Sequence, residues 1–139
     1  MRQFKTVRLI SIFFYALLFV VRIAQASPNS ITFQSRIIKP DGLPLEGTAV
    51  SFRFSLTDTL GSCVIYQEDF TSRNMSGSKG IIILAIGTGS KIFPVAAMTL
   101  TEAFNNYNSP TLNCQAGGNI VAGATDRRKL IVQFNDGSG

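Results

Sequence analysis

The chain has 139 residues, 45% of them hydrophobic, with 13 basic and eight acidic side chains and neither histidine nor tryptophan. Without histidine there is no Ser-His-Asp or Cys-His catalysis, no histidine-ligated zinc and no imidazole proton shuttle. The net charge of +5 is unevenly placed: residues 1–26 hold four cations and no acid, leaving nine basic against eight acidic residues and a net charge of +1 in the remainder, which gathers no phosphates.

In chain order, Arg2, Lys5 and Arg8 precede thirteen positions, Leu9 to Val21, of which only Ser11 is polar. As a helix that run rises about 20 Å, short of the roughly 30 Å hydrocarbon core of a membrane. Ala24-Gln25-Ala26 supplies the small-x-small pattern of a signal-peptidase site, with Ser27-Pro28 beyond it. Residues 1–26 are therefore expected to be a signal peptide cleaved between Ala26 and Ser27, and residues 27–139 a single exported domain. Arg22, between the apolar run and the cleavage site, leaves an uncleaved anchor as the alternative.

The first expected strand is Ile31 to Ile37, where apolar and polar residues alternate; Lys39-Pro40-Asp41-Gly42 and Leu43 to Gly47 then reverse the chain. The clearest alternation is Thr48 to Thr57, with Val50, Phe52, Phe54 and Leu56 on one face. A third strand is expected at Cys63 to Phe70. A fourth, Gly80 to Gly87, holds six consecutive apolar residues, Ile81 to Ile86, and so is expected to be buried on both faces. Thr99 and Glu102 have capping-box spacing and Leu100 would share a face with Phe104, which predicts a two-turn helix near 99–106. Residues 106–125, rich in Asn, Ser and Gly, read as a long surface loop. The last strand is Lys129 to Asn135, with Leu130, Val132 and Phe134 on one face. Short strands separated by Gly/Pro turns predict a mainly β fold, an antiparallel β-sandwich of immunoglobulin-like or prealbumin-like type with one short helix. Asp136-Gly137-Ser138-Gly139 has the composition of a hairpin turn, and the expectation is that this chain is the front of a longer one.

Cys63 and Cys114, an even pair in an exported chain, are expected to form a disulfide that pins the 106–125 loop to the third strand. Two buried free thiols are the alternative. Gly87-Thr88-Gly89-Ser90-Lys91 superficially looks like a phosphate loop but lacks glycine directly before the lysine and a hydroxyl residue after it; a strand-exit turn is the simpler reading. Of the carboxylates, Glu68 and Asp69 are adjacent in a strand and point to opposite faces, and Glu102 is a helix cap. A small carboxylate-dependent hydrolase is a distant third function and would use a pair such as Glu68 with Asp126. Asp126-Arg127-Arg128-Lys129 is the one cationic run outside the leader. It reads as a solvated strand entrance, with an anionic glycan or lipid head group as the functional alternative. Asn74-Met75-Ser76 matches the N-glycosylation sequon. No catalytic residue, cofactor or metal is implied.

Three stretches together carry a resemblance: Ile31-Thr32-Phe33-Gln34-Ser35-Arg36-Ile37 with the Pro40 to Gly47 turn, Val50-Ser51-Phe52-Arg53-Phe54, and Gly80 to Gly87. The chain from Ile31 onward resembles the N-terminal module of large secreted bacterial fibre proteins, described as cell-wall-anchor-like or tail-fibre-like and abundant in predatory Gram-negative bacteria. That family begins with a T-[FY]-Q-G-R-[IL] strand; here Ser35 stands in place of the glycine. The resemblance implies a non-enzymatic structural or attachment module of an extracellular or outer-surface fibre or adhesin. Its partner would be the rest of a fibre or copies of itself, as in a trimer; the net charge of +1 outside the leader argues against nucleic acid, and membrane contact is expected only through the signal peptide during export. A self-contained secreted or periplasmic binding domain is the alternative.

Overall fold

The computed structural model describes residues 29–95 and 98–137. The expected cleavage residues Ala24, Ala26 and Ser27 lie outside them. The described chain is mainly β, its strands pair antiparallel, and it holds one short helix. The elements are β1 (Ile31–Arg36), β2 (Val50–Thr57), β3 (Val64–Arg73), β4 (Ile81–Ile86), β5 (Ser90–Phe93), α1 (Leu100–Phe104), β6 (Thr111–Asn113), β7 (Asn119–Val121) and β8 (Lys129–Asn135). They form a four-stranded sheet of order β5-β3-β2-β8, a two-stranded sheet β1-β4 and a small β6-β7 hairpin.

The alternation in β2 dictates the core. Phe52, Phe54 and Leu56 stand opposite Phe70, Glu68 and Tyr66 of β3, and opposite Phe134, Val132 and Leu130 of β8. All nine therefore project from the same face of the four-stranded sheet. The β1-β4 sheet packs onto that face: the Phe33 ring meets Phe54 edge-on at 5.1 Å, Phe54 meets Phe70 at 5.6 Å, and Ile82, Leu84 and Ile86 of β4 are buried. Edge-to-face contact suits the ring quadrupoles as well as the packing. The result is a sandwich of two unequal layers, two strands over four.

The opposite face of the four-stranded sheet is covered at one end only. There Leu112 of the β6-β7 hairpin and Ala122 just beyond it are buried, and Gln115 donates its backbone N–H to the Val64 carbonyl at 2.9 Å. A chain of amides links the layers, Gln115 Nε2 to Gln67 Oε1 and Gln67 Nε2 to Ser55 Oγ. That cover explains why Ser55, Thr57 and Gln67 are buried although they alternate with the core residues.

Three sequence expectations are corrected. β4 is not buried on both faces: its burial alternates, with Ile81 45% and Ile83 60% exposed. The six-residue apolar run fits either kind of strand, and here no described element covers the outer face of the two-stranded sheet. The 106–125 segment is not all loop, because its Gly117-Gly118 turn allows Leu112 to pair with Ile120 and bury itself. The helix is shorter than two turns and buries Leu100 with Ala103, leaving Phe104 41% exposed. The edge strand β5 was legible only as a turn. It is four residues long and ends at Phe93, before Pro94, which has no N–H with which to extend the ladder.

Candidate functional site

The carboxylates show what chemistry the molecule keeps for itself. Glu68 lies on the core face of β3 and is fully buried. Its Oε1 accepts the backbone N–H of Gly87 at 2.6 Å; its Oε2 accepts the N–H of Gly89 at 2.9 Å and the hydroxyl of Tyr66 at 3.1 Å. Burying a carboxylate is costly unless it is well hydrogen-bonded, and here two of the three donors come from the turn between β4 and β5. The Gly87-Thr88-Gly89 run thus does cradle an anion with backbone N–H groups, but the anion is the protein's own. Gly87 sits at φ +102, and a Cβ there would collide with the Asn29 carbonyl, so neither its conformation nor its surroundings admit a side chain. Burial, with the Glu68 charge beside it, pushes the Tyr66 hydroxyl well above the usual phenol range, which keeps it protonated and donating.

The remaining acids are also engaged. Asp58 accepts the N–H groups of Ser62 and Cys63 at 2.7 and 3.0 Å and closes the β2-β3 turn; the Cys63 and Ser62 hydrogen bonds hold its carboxyl below the usual carboxylate range. Asp69 faces outward, opposite to Glu68, and its two oxygens take Arg53 Nε and Nη2 at 2.8 Å each, which lowers its pKa. Glu102 completes the capping box at Thr99. Asp126 accepts the Gly123 N–H at 2.8 Å. Glu68 and Asp126 share no partner, and Glu68 has no exposed surface, so the structure does not bring them together as an acid pair on a cleft. Among the described residues no cluster of three or more His, Cys, Asp or Glu could hold a metal ion.

Cys63 and Cys114 form a disulfide, Cα to Cα 5.0 Å, joining the hairpin layer to the start of β3. Asn74 Oδ1 accepts the Ser76 N–H at 3.0 Å and Met75 is buried, which makes the sequon part of a tight turn. The cationic run divides by role. Arg128 donates to the Ala103 carbonyl at 3.0 Å and to Asn106 Oδ1 at 2.7 Å, tying α1 to the entrance of β8, whereas Arg127 and Lys129 are exposed.

Among the described residues, two surfaces besides the outer face of β1-β4 remain open. On the outer face beyond the hairpin, Ser51, Arg53, Asp69, Thr71, Gln133 and Asn135 line a trough of about 430 Å³ centred on the Arg53–Asp69 pair. On the long side of the sandwich, two strands are left incomplete. Phe33 over Phe54 places β1 above β2, and Glu68 reaching Gly87 and Gly89 places the exit of β4 above β3. No strand in the described residues then lies above β8. Its inward-facing Leu130 and Phe134 are accordingly 42% and 46% exposed, Ile31 of β1 is 47% exposed, and Ile31, Leu130, Phe104 and Leu100 border an apolar cavity between the layers. Among the described residues, the side of β1 away from β4 and the side of β8 away from β2 carry no strand partner. The expected face of Leu130, Val132 and Phe134 is present, with Val132 packed against the core; sequence reasoning missed that no described strand lies over it, because strand order across two layers leaves no local signal. No family model, curated protein or solved structure matches the chain.

Proposed function

We propose that the protein is a non-enzymatic, exported module that serves a structural or attachment role in a cell-surface fibre or adhesin. The observation that carries this reading is the open long side of the sandwich, where β8 presents apolar side chains and β1 and β8 present edges with no strand partner among the described residues. Monomeric proteins normally blunt such edges, and a module that works by joining neighbours has reason to keep them. The disulfide supports an oxidising, exported setting, and the leader-like residues 1–26 support export. The carboxylates spent on turns, a cap and a buried latch support a scaffold role over acid–base chemistry. Immunogold labelling of intact host cells, with antibodies against the folded domain, tests the proposal. Label on surface filaments is expected; label seen only after permeabilisation, on no assembled structure, would overturn it.

A second reading, a self-contained binding domain, draws on the Arg53–Asp69 trough, whose amides and hydroxyls suit a polar ligand. On that reading, substituting Gln133 and Asn135 removes ligand binding without altering assembly.

A further inference from the structure

We infer that the open side of the sandwich is filled by a second copy of this chain, each copy inserting its β8 beside the β1 of the other. This deepens the structural-module reading and rests on it. It begins from the mismatch of the two layers: the upper sheet ends at β1, above β2, while the lower continues to β8. The vacant position beside β1 must take a strand whose one face is apolar and whose edge is free to pair. β8 has both properties. Its inward face is Leu130, Val132 and Phe134, and it pairs with β2 through a ladder without a bulge.

The exchange closes by symmetry. A two-fold axis running along the strands, between the two β8 strands, lays each β8 over the other and beside the partner's β1. Each layer becomes one six-stranded sheet of order β4-β1-β8-β2-β3-β5, in which the last four strands belong to the second copy. Isologous contacts of this kind satisfy both copies at once and leave no open end for further growth. A two-fold pairing of β1 with β1 would not serve, since it sets the β2 of one copy where the β8 of the other already lies.

Strand direction and charge agree with the arrangement. Ile31 borders the same cavity as Leu56 and Leu130, and Phe33 stands over Phe54, whose neighbour on β8 is Val132. β1 and β8 therefore run in the same direction, and a two-fold axis along the strands preserves that direction, so the new pair is parallel. With Ile31 level with Leu130, the one charge on β1, Arg36, comes level with Asn135, and the one charge on β8, Lys129, lies level with Ser30. No like charges meet, and the edges carry no proline, bulge or second charge to discourage pairing. β1 and β8 together contribute thirteen residues a side, about half of a standard interface of roughly 20–30, so the dimer belongs at the small end of specific interfaces, with a dissociation constant on the order of 1–100 µM.

The test uses the protein expressed with its own leader and recovered oxidised, followed by sedimentation from about 1 µM to about 500 µM. The expected result is a mass that doubles over this range and goes no further. Amide exchange supplies the assignment. The Ile37 N–H donates to Gly80 on the β4 side, so by alternation the Thr32, Gln34 and Arg36 N–H groups point to the free edge; their exchange should slow at least tenfold on dimerisation. Gln34→Pro removes one of these donors without touching the β4 ladder, as edge strands allow, and Leu130→Glu charges the apolar face. Each should leave a folded monomer at every concentration. A monomer throughout, a trimer, or a dimer whose free-edge amides exchange as fast as in the monomer would overturn the inference. The exchange measurement on the unaltered chain decides the matter even where a variant does not fold. Because it is made in solution, a missing dimer is distinguishable from a failure of the surface-fibre reading, which the labelling of cells reports.

Discussion

Replacing Glu68 by glutamine changes one atom and tests the buried latch between the layers. The carboxylate meets three donors, the N–H groups of Gly87 and Gly89 and the Tyr66 hydroxyl, with no exposure to solvent. A glutamine oxygen occupies only one of the two oxygen positions, and its NH₂ group in the other faces an N–H. If the oxygen keeps Gly89 and Tyr66, the part-buried Gly87 N–H loses its acceptor. Loss of a charge-assisted bond costs about 1.5–3 kcal/mol and an unmet buried donor about 1–3 kcal/mol; the two overlap, and about 3 kcal/mol is expected. Set against a total stability of about 5–15 kcal/mol for a domain, that is a large loss, and at this size it lowers the melting temperature by about 10–20 °C. Tyr66→Phe is the control: it removes one donor and leaves both backbone bonds, at about 1 kcal/mol. Paired urea and thermal unfolding curves measure both. A Glu68→Gln protein within about 1 kcal/mol of the parent would refute the claim that this carboxylate holds the β4 exit onto β3.

Three further outcomes follow from the same structure. Replacing both Cys63 and Cys114 by alanine opens a cross-link across 51 residues and should destabilise the fold by about 4 kcal/mol in chemical denaturation, the chain-entropy value for such a loop. Gly87→Ala forces a side chain onto a φ of +102 against the Asn29 carbonyl, with an expected loss of about 2 kcal/mol or more in thermal unfolding. Asp58 and Asp69 have folded-state pKa values below the ordinary 3.8, through the Cys63 and Ser62 bonds and through Arg53 respectively. Their contribution is complete above about pH 4 and is lost as the pH falls through the lowered values, so an acid titration should show stability dropping there, with a smaller drop in Asp58→Asn.

Much of the fold was legible because it is written in period two. β2 and β8 follow from alternation alone, β8 with the observed bounds, and the Thr99 to Glu102 capping box is where the spacing placed it. What stayed hidden depends on which layers lie over which. The β4 run Ile81 to Ile86 reads as doubly buried, yet its burial alternates and no described element covers the outer face of β1-β4. Ser55 and Thr57 lie on the polar side of the β2 alternation, yet both are buried. Glu68 carried a usable signal, since it shares a period-two face with Tyr66 and Phe70; an acid on such a face requires donors, and the Gly87–Gly89 run supplies two of them. The open long side had no signal in any one segment, because it arises only when β1 stops above β2 and β8 continues beyond.

The most direct test of the account is the intact mass, with and without reductant, of this protein recovered from its host's cell envelope and medium. The account predicts that the sequence is found outside the cytoplasm, begins at Ser27, gains about two mass units on reduction as Cys63 and Cys114 become thiols, and is recovered in an assembly larger than one chain. Unprocessed, reduced, monomeric protein in the cytoplasm would contradict it.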